Sequence, residues 1–169
     1  YDPGVGAFVQ SFGSKDLDAA NLIIPVVEFL PPDDPRVQGT IDRTLERLTE
    51  NGVVYRYLNE DGLPGGEGAF GLTTFWMIDA LALSGRLDEA SELFEGMARR
   101  ANHVGLYAEE FDPRTGAFLG NFPQAFSHVG FINSALYLAR ARGHKAPTPA
   151  PIGSRQHGAE AGHDTGAAA

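Results

Sequence analysis

Apolar positions in this chain come in long blocks separated by polar, glycine-rich stretches, and the blocks alternate in kind. From Leu17 to Leu30 nearly every position is apolar (Leu17, Ala19, Ala20, Leu22, Ile23, Ile24, Val26, Val27, Phe29), which predicts a helix buried on all sides. Ser14 or Asp16 would cap it and Pro25 would kink it. Pro31-Pro32-Asp33-Asp34-Pro35 stops that helix and starts the next, with Asp34 as N-cap and Pro35 at the first helical position. The second helix, to about Glu50, sets Val37, Ile41, Leu45 and Leu48 against Arg36, Asp42, Arg43, Glu46 and Arg47, one apolar stripe against one solvated face. Residues 51–67 predict a loop with a short extended piece at 53–57. Ala69 to about Ser84 is again apolar around its circumference and is closed by Gly85. Arg86 to Arg100 is amphipathic, with Ala90, Leu93, Phe94 and Met97 opposite Asp88, Glu89, Glu92, Glu95 and Arg99. A long loop rich in Gly, Pro and aromatics follows, with a turn signal at Asp112-Pro113-Arg114-Thr115-Gly116. A last apolar helix then runs from about Gln124 to Arg142 and ends at Gly143.

The order is buried, amphipathic, buried, amphipathic, buried. This predicts an all-α chain of about five helices alternating between an inner and an outer layer, part of an α/α toroid; a globular bundle with two central helices fits the same pattern. In the toroid the long loops all run from an outer helix into an inner one. They would therefore gather at the N-terminal end of the inner helices, and three polar, aromatic loops on one rim make a pocket. Residues 1–144 would form this portion of a domain. Residues 145–169, Ala, Gly and Pro without periodicity, would be a disordered tail.

Charge narrows the function classes. The net charge is −9, and the 13 basic residues are scattered, whereas a nucleic-acid partner requires clustered Lys and Arg. No apolar run approaches 18 residues, so no membrane-spanning helix is predicted. With no cysteine, disulfides, thiolate metal sites and a cysteine nucleophile are excluded. The chain opens on Tyr1 with no signal-peptide pattern and reads as a fragment of something longer; its compartment stays open, with the cytoplasm the expectation. His103, His128 and His144 fall on separate elements and His157 and His163 in the tail, so no metal is expected, and no cofactor. No serine sits in a G-x-S-x-G setting, and Gly65-Gly66-Glu67-Gly68 lacks the Lys-Ser/Thr of a phosphate loop.

What the loops do carry is acids, aromatics, amides and an arginine. The first offers Gln10, Ser14, Lys15, Asp16 and Asp18, the second Arg56, Tyr57, Glu60, Asp61 and Glu67, and the third Glu109 and Glu110. Carboxylates can move protons, amides and Arg can bind hydroxyls, and rings can stack on sugar faces, so the set suits a carbohydrate site. Each also has a plainer reading. Glu109-Glu110 and Glu60-Asp61 can be solvated acids, Glu67 can answer a helix dipole, and Arg56 can stack on Tyr55 or Tyr57.

Several long stretches, GSKDLDAANLIIP, PPDDPRV, VYRYLNEDGLPGGEGAFGLTTFWMIDALALSGRLDEA and YAEEFDPRTGAFLGNFPQAFSHVGFINSAL, resemble the glucoamylase/trehalase-type glycoside hydrolases, family fifteen. The resemblance covers about residues 5–142. It implies the C-terminal part of an (α/α)6 toroid that cleaves α-glucosidic bonds with inversion, on an α-glucan oligosaccharide or on trehalose. It also implies Glu109, in Ala108-Glu109-Glu110-Phe111, as general base. Arg56-Tyr57 match a substrate-contacting pair, and Phe126 falls where relatives often carry a Trp beside the cleaved sugar; Glu67 and Glu110 are further candidates for substrate binding. The family's general acid sits in a Trp-Glu motif, and this chain has none: its single tryptophan, Trp76, precedes Met77. The acid is therefore expected in a missing N-terminal half of the domain, and the fragment alone is expected to be inactive. The alternative is a non-catalytic helical module that binds carbohydrate or a protein partner.

Overall fold

The computed structural model describes residues 1–59 and 68–145. Four α-helices form: α1 (Pro35–Leu48), α2 (Gly71–Leu83), α3 (Leu87–Ala98) and α4 (Ala125–Ala141). Asp34 caps α1 by accepting the Arg36 N–H at 2.9 Å, ahead of Pro35, as the sequence predicts. Gly85 and Gly143 follow α2 and α4. The amphipathic reading of α1 also holds, with Val37, Ile41 and Leu48 buried, but Thr40 and Thr44 share that face. Their hydroxyls donate to the carbonyls one turn back, Arg36 at 2.7 Å and Thr40 at 2.8 Å, so no polar group is stranded.

Two expectations need correction. Residues 17–30 do not form an α-helix; only Ala19–Ile23 is helical, as a short 3-10 turn, followed by turns. Neither Ser14 nor Asp16 caps it: the Asp18 side chain does, accepting the Ala20 N–H. Pro25 supplies no N–H and its ring crowds the preceding turn, and Glu28 then turns left-handed at φ 59°. Phe29 and Val27, expected inside, are exposed. The chain is also not all-α. Five two-residue strands, β1 (Thr49–Glu50), β2 (Val53–Val54), β3 (Ala69–Phe70), β4 (Glu110–Phe111) and β5 (Phe118–Leu119), form one antiparallel sheet in chain order. Asn51-Gly52, both at positive φ (50° and 76°), close the β1–β2 hairpin. Strands this short carry no alternating pattern.

α2 is the centre of the structure. It packs against α4, α3, α1, the 3-10 turn, β2 and β3, and Phe75, Met77, Ile78, Ala80 and Leu81 are fully buried. A Cβ added at Gly130 of α4 would stand 2.7 Å from the Phe75 ring, so the two helices approach as closely as they do because Gly130 has no side chain. Phe75 meets Tyr107 and Phe131 edge-on, and Phe131 stacks on Phe94, which ties α2, α3, α4 and the third loop into one aromatic cluster. The helix expected to be the third buried one departs from that reading. α4 buries Ser127, Gly130, Ser134 and Leu138, whereas Phe126, Val129 and Ile132 are 66%, 52% and 56% exposed. Of the tail expected to be disordered, residues 145–169, all but Lys145 lie outside the described residues. No helix among the described residues is long and apolar enough to cross a membrane.

Candidate functional site

The third loop folds back on itself as a hairpin. Asp112 anchors its tip, accepting the Arg114 N–H at 2.8 Å with its side chain and the Gly116 N–H at 2.8 Å with its carbonyl. β4 and β5 then pair in register, Glu110 opposite Leu119 and Phe111 opposite Phe118. Below the strands the Glu109 N–H donates to the Asn121 carbonyl at 2.9 Å. The hairpin root is clamped to both inner helices. The N–H of Gly71, first residue of α2, donates to the Glu109 carbonyl at 2.9 Å, and the Ser127 hydroxyl of α4 donates to the Ala108 carbonyl at 2.7 Å. Glu109 thus stands where the N-terminal ends of α2 and α4 meet the sheet.

The two adjacent acids point to different partners, as alternation along a strand requires. Oε2 of Glu109 accepts two N–H groups of Asn121, the backbone at 2.9 Å and Nδ2 at 2.8 Å. Oε2 of Glu110 accepts the Gly68 N–H at 3.0 Å, which pins the end of the second loop to the third. The register extends this link, since Val54, Phe70 and Glu110 lie abreast in β2, β3 and β4.

Arg56 goes elsewhere. Its Nε donates to Oδ1 of Asp18 at 3.0 Å, and its carbonyl accepts the Ala19 N–H at 2.8 Å. The first loop is therefore stapled to the second, and the Arg56 side chain is engaged by Asp18. Tyr57 beside it is half-buried. Phe126, in the first turn of α4, presents an exposed ring, close along the chain to Gln124, whose N–H donates to the Tyr107 carbonyl at 3.0 Å. Glu60, Asp61 and Glu67 lie outside the described residues. His128 packs edge-on against Tyr107, and its ring Nδ1 lies 2.8 Å from the Gln124 carbonyl. Among the described residues no group of three His, Cys, Asp or Glu could hold a metal ion. A cleft of about 630 Å3 between α1 and α3, lined by Leu45, Asn51, Glu92, Leu93 and Arg100, is remote in lining from these residues.

Residues 1–136 match the profile of the Glycosyl hydrolases family 15. The chain belongs to that family. Two curated relatives of this family 15 chain are called trehalase. That of Thermoplasma volcanium is 46% identical over 142 residues, covering 83% of this chain and 23% of that protein. That of Mycobacterium tuberculosis is 45% identical over 139 residues, covering 80% and 20%. The chain thus spans less than a quarter of the length of these relatives. A solved glycosidase, 22% identical, shares the fold over 82% of this chain and 39% of its own, with a TM-score of 0.66.

Two residues that sequence reasoning passed over matter to this family 15 chain. Asn121, which the sequence reading did not single out, is the partner of Glu109. Asp79 is a buried carboxyl within α2; the Ser134 hydroxyl of α4 donates to it at 2.6 Å, and burial pushes its pKa up to about 7 against that hydrogen bond. A lone acid inside MIDALALSG was a legible signal for Asp79. For Asn121 there was none, because its role depends on the hairpin register.

Proposed function

We propose that this chain is the C-terminal part of a trehalase-like glycoside hydrolase, its four described α-helices belonging to an (α/α)6 toroid whose other helices lie outside it. The observation that carries this reading is the identity of 44–46% to four proteins called trehalase, over at least four-fifths of the chain. The full-length protein hydrolyses α,α-trehalose with inversion. Glu109 acts as general base: it takes a proton from a water that attacks the anomeric carbon, while an acid outside this chain protonates the departing oxygen. Inversion needs room for that water, with the two carboxyls about 6.5–9.5 Å apart. The exposed Phe126 ring, Arg56, Tyr57, Glu67 and Glu110 bind sugar. This chain by itself turns over nothing, since it lacks the acid, and the exposed face of α4 at Val129 and Ile132 is covered by the rest of the domain.

Support for Glu109 comes from its position at the junction of two helix N-termini and from a carboxylate that is partly open to solvent and held on one oxygen. The test is glucose release from trehalose, maltose and maltotriose by the full-length protein, wild type against Glu109→Gln. A loss of about 10²- to 10⁴-fold on trehalose is expected. Turnover of maltotriose with trehalose untouched would move the substrate to α-glucans. An unchanged rate in the variant would end the assignment of Glu109 and favour a module that only binds.

A further inference from the structure

We propose that Asn121 is the positioning residue of the general base: it clamps Oε2 of Glu109 with two N–H groups and so dedicates Oε1 to the attacking water. The inference rests on the reading of Glu109 as base and adds a residue and an atom to it.

Three hydrogen bonds join these two residues. Glu109 donates its backbone N–H to the Asn121 carbonyl, and Asn121 returns its backbone N–H at 2.9 Å and its Nδ2 at 2.8 Å, both to Oε2. Among the described residues nothing bonds Oε1. The carboxylate is also walled in from one side. A Cβ on Gly120 would stand 2.8 Å from Oε2 and 3.1 Å from the Glu109 Cβ, and Gly120 holds φ at +68°, where a side chain is strained in any case. So the backbone of Gly120 and the amide of Asn121 together fix both the rotamer and the rotation of the carboxyl group.

A base in an inverting site needs this. It must hold one lone pair in line with a water on the far face of the sugar, and a carboxylate free to rotate spends most of its time misaligned. An amide suits the task better than Arg or Lys, because it orients the oxygen without bringing a full positive charge beside the base. The hairpin explains how a residue 12 positions downstream arrives there: Asp112 fixes the tip, β4 and β5 set the register, and the register returns Asn121 to Glu109.

The test uses the full-length protein with trehalose and four variants, Asn121→Ala, Asn121→Asp, Glu109→Gln and the double variant Asn121→Ala/Glu109→Gln. Asn121→Ala should lower kcat roughly 10- to 100-fold with KM nearly unchanged. Asn121→Asp keeps the size of the side chain and places an acid beside Oε2, so the acid limb of the kcat/KM profile should move up by about one pH unit. In the double variant the two losses should not multiply, since both remove one working unit. If the acid limb stays in place under Asn121→Asp and the losses in the double variant multiply, Asn121 serves only the fold and the inference is wrong, while a large loss in Glu109→Gln would leave the base standing. A fully active Glu109→Gln would remove the base and the clamp together.

Discussion

α2 and α4 read alike in sequence, and the structure treats them differently. Each is a helical block apolar on every side, each begins beside the Glu109 hairpin, and each ends at a glycine with positive φ. Yet α2 packs against α1, α3, α4, the 3-10 turn, β2 and β3 and leaves only Leu72, Trp76 and Leu83 half-buried, whereas α4 packs against α2 and α3 and leaves one side bare. Its bare side carries Phe126, Val129 and Ile132, a stripe too apolar for a surface that only water touches. The difference teaches that an apolar block records the surroundings of a helix in its whole protein. The chain spans less than a quarter of its relatives, and the proposed reading is that the rest of the domain covers this side of α4.

Replacing one aromatic on each helix is the strongest way to break this comparison. Phe75 on α2 is fully buried and touches Tyr107 and Phe131, so Phe75→Ala in this chain should cost about 3–5 kcal/mol in urea melts. Phe126→Ala removes a ring that is 66% exposed and should change stability by no more than about 0.5 kcal/mol. Equal costs would mean that α4 finds cover in this chain after all.

The two helices also share a carboxyl, and pH sharpens the contrast with the open Glu109. Asp79 is raised to about 7 in the folded state by burial, against about 3.9 unfolded. Below about pH 4 both states hold the proton. Between about 4 and 7 only the folded state does, so the contribution of Asp79 to stability is greatest on the acid side and falls as pH rises through that window. At about 1.4 kcal/mol per unit the loss is at most on the order of 4 kcal/mol. Asp79→Asn keeps an acceptor for the Ser134 hydroxyl and removes the titration. Its melting temperature should vary less with pH and exceed that of the wild type at pH 8. A variant less stable than wild type at pH 8 would show an ionised Asp79 that the α2–α4 contact needs.

How much of this was legible depended on the range of each interaction. α1 and α3 could be read because the signals are local: Asp34 caps α1 beside Pro35, and in α3 Ala90 and Met97 recur at helical spacing. The block at Leu17–Leu30 misled because its apolar content outweighed Pro25 in the reading and not in the fold. Of the strands only β2 was legible, within the extended piece read at 53–57; the other four, at two residues each, left no pattern. At the site, Glu109 was legible as a motif, but the partners were not. Arg56 turned to Asp18, and Asn121 reached Glu109 only through a register that no local pattern encodes.

The smallest effect separates the two helices most directly. Ile132 ends the bare stripe of α4 and is 56% exposed. In this chain Ile132→Gln exchanges an apolar side chain for a polar one in contact with water, so stability should move by about 0.5 kcal/mol or less and solubility should improve. In the full-length protein the same position would be covered, and a buried amide without partners would cost about 1–3 kcal/mol. Ile78→Gln on α2 is the control, because Ile78 is fully buried already and its replacement should be costly in both settings. Denaturant melts of wild type and both variants at each length read the result as a difference of differences. A cost for Ile132→Gln that appears only in the longer protein would mark the stripe as an internal seam. A cost that is negligible in both would make it outer surface, and α4 would then be an edge of the domain.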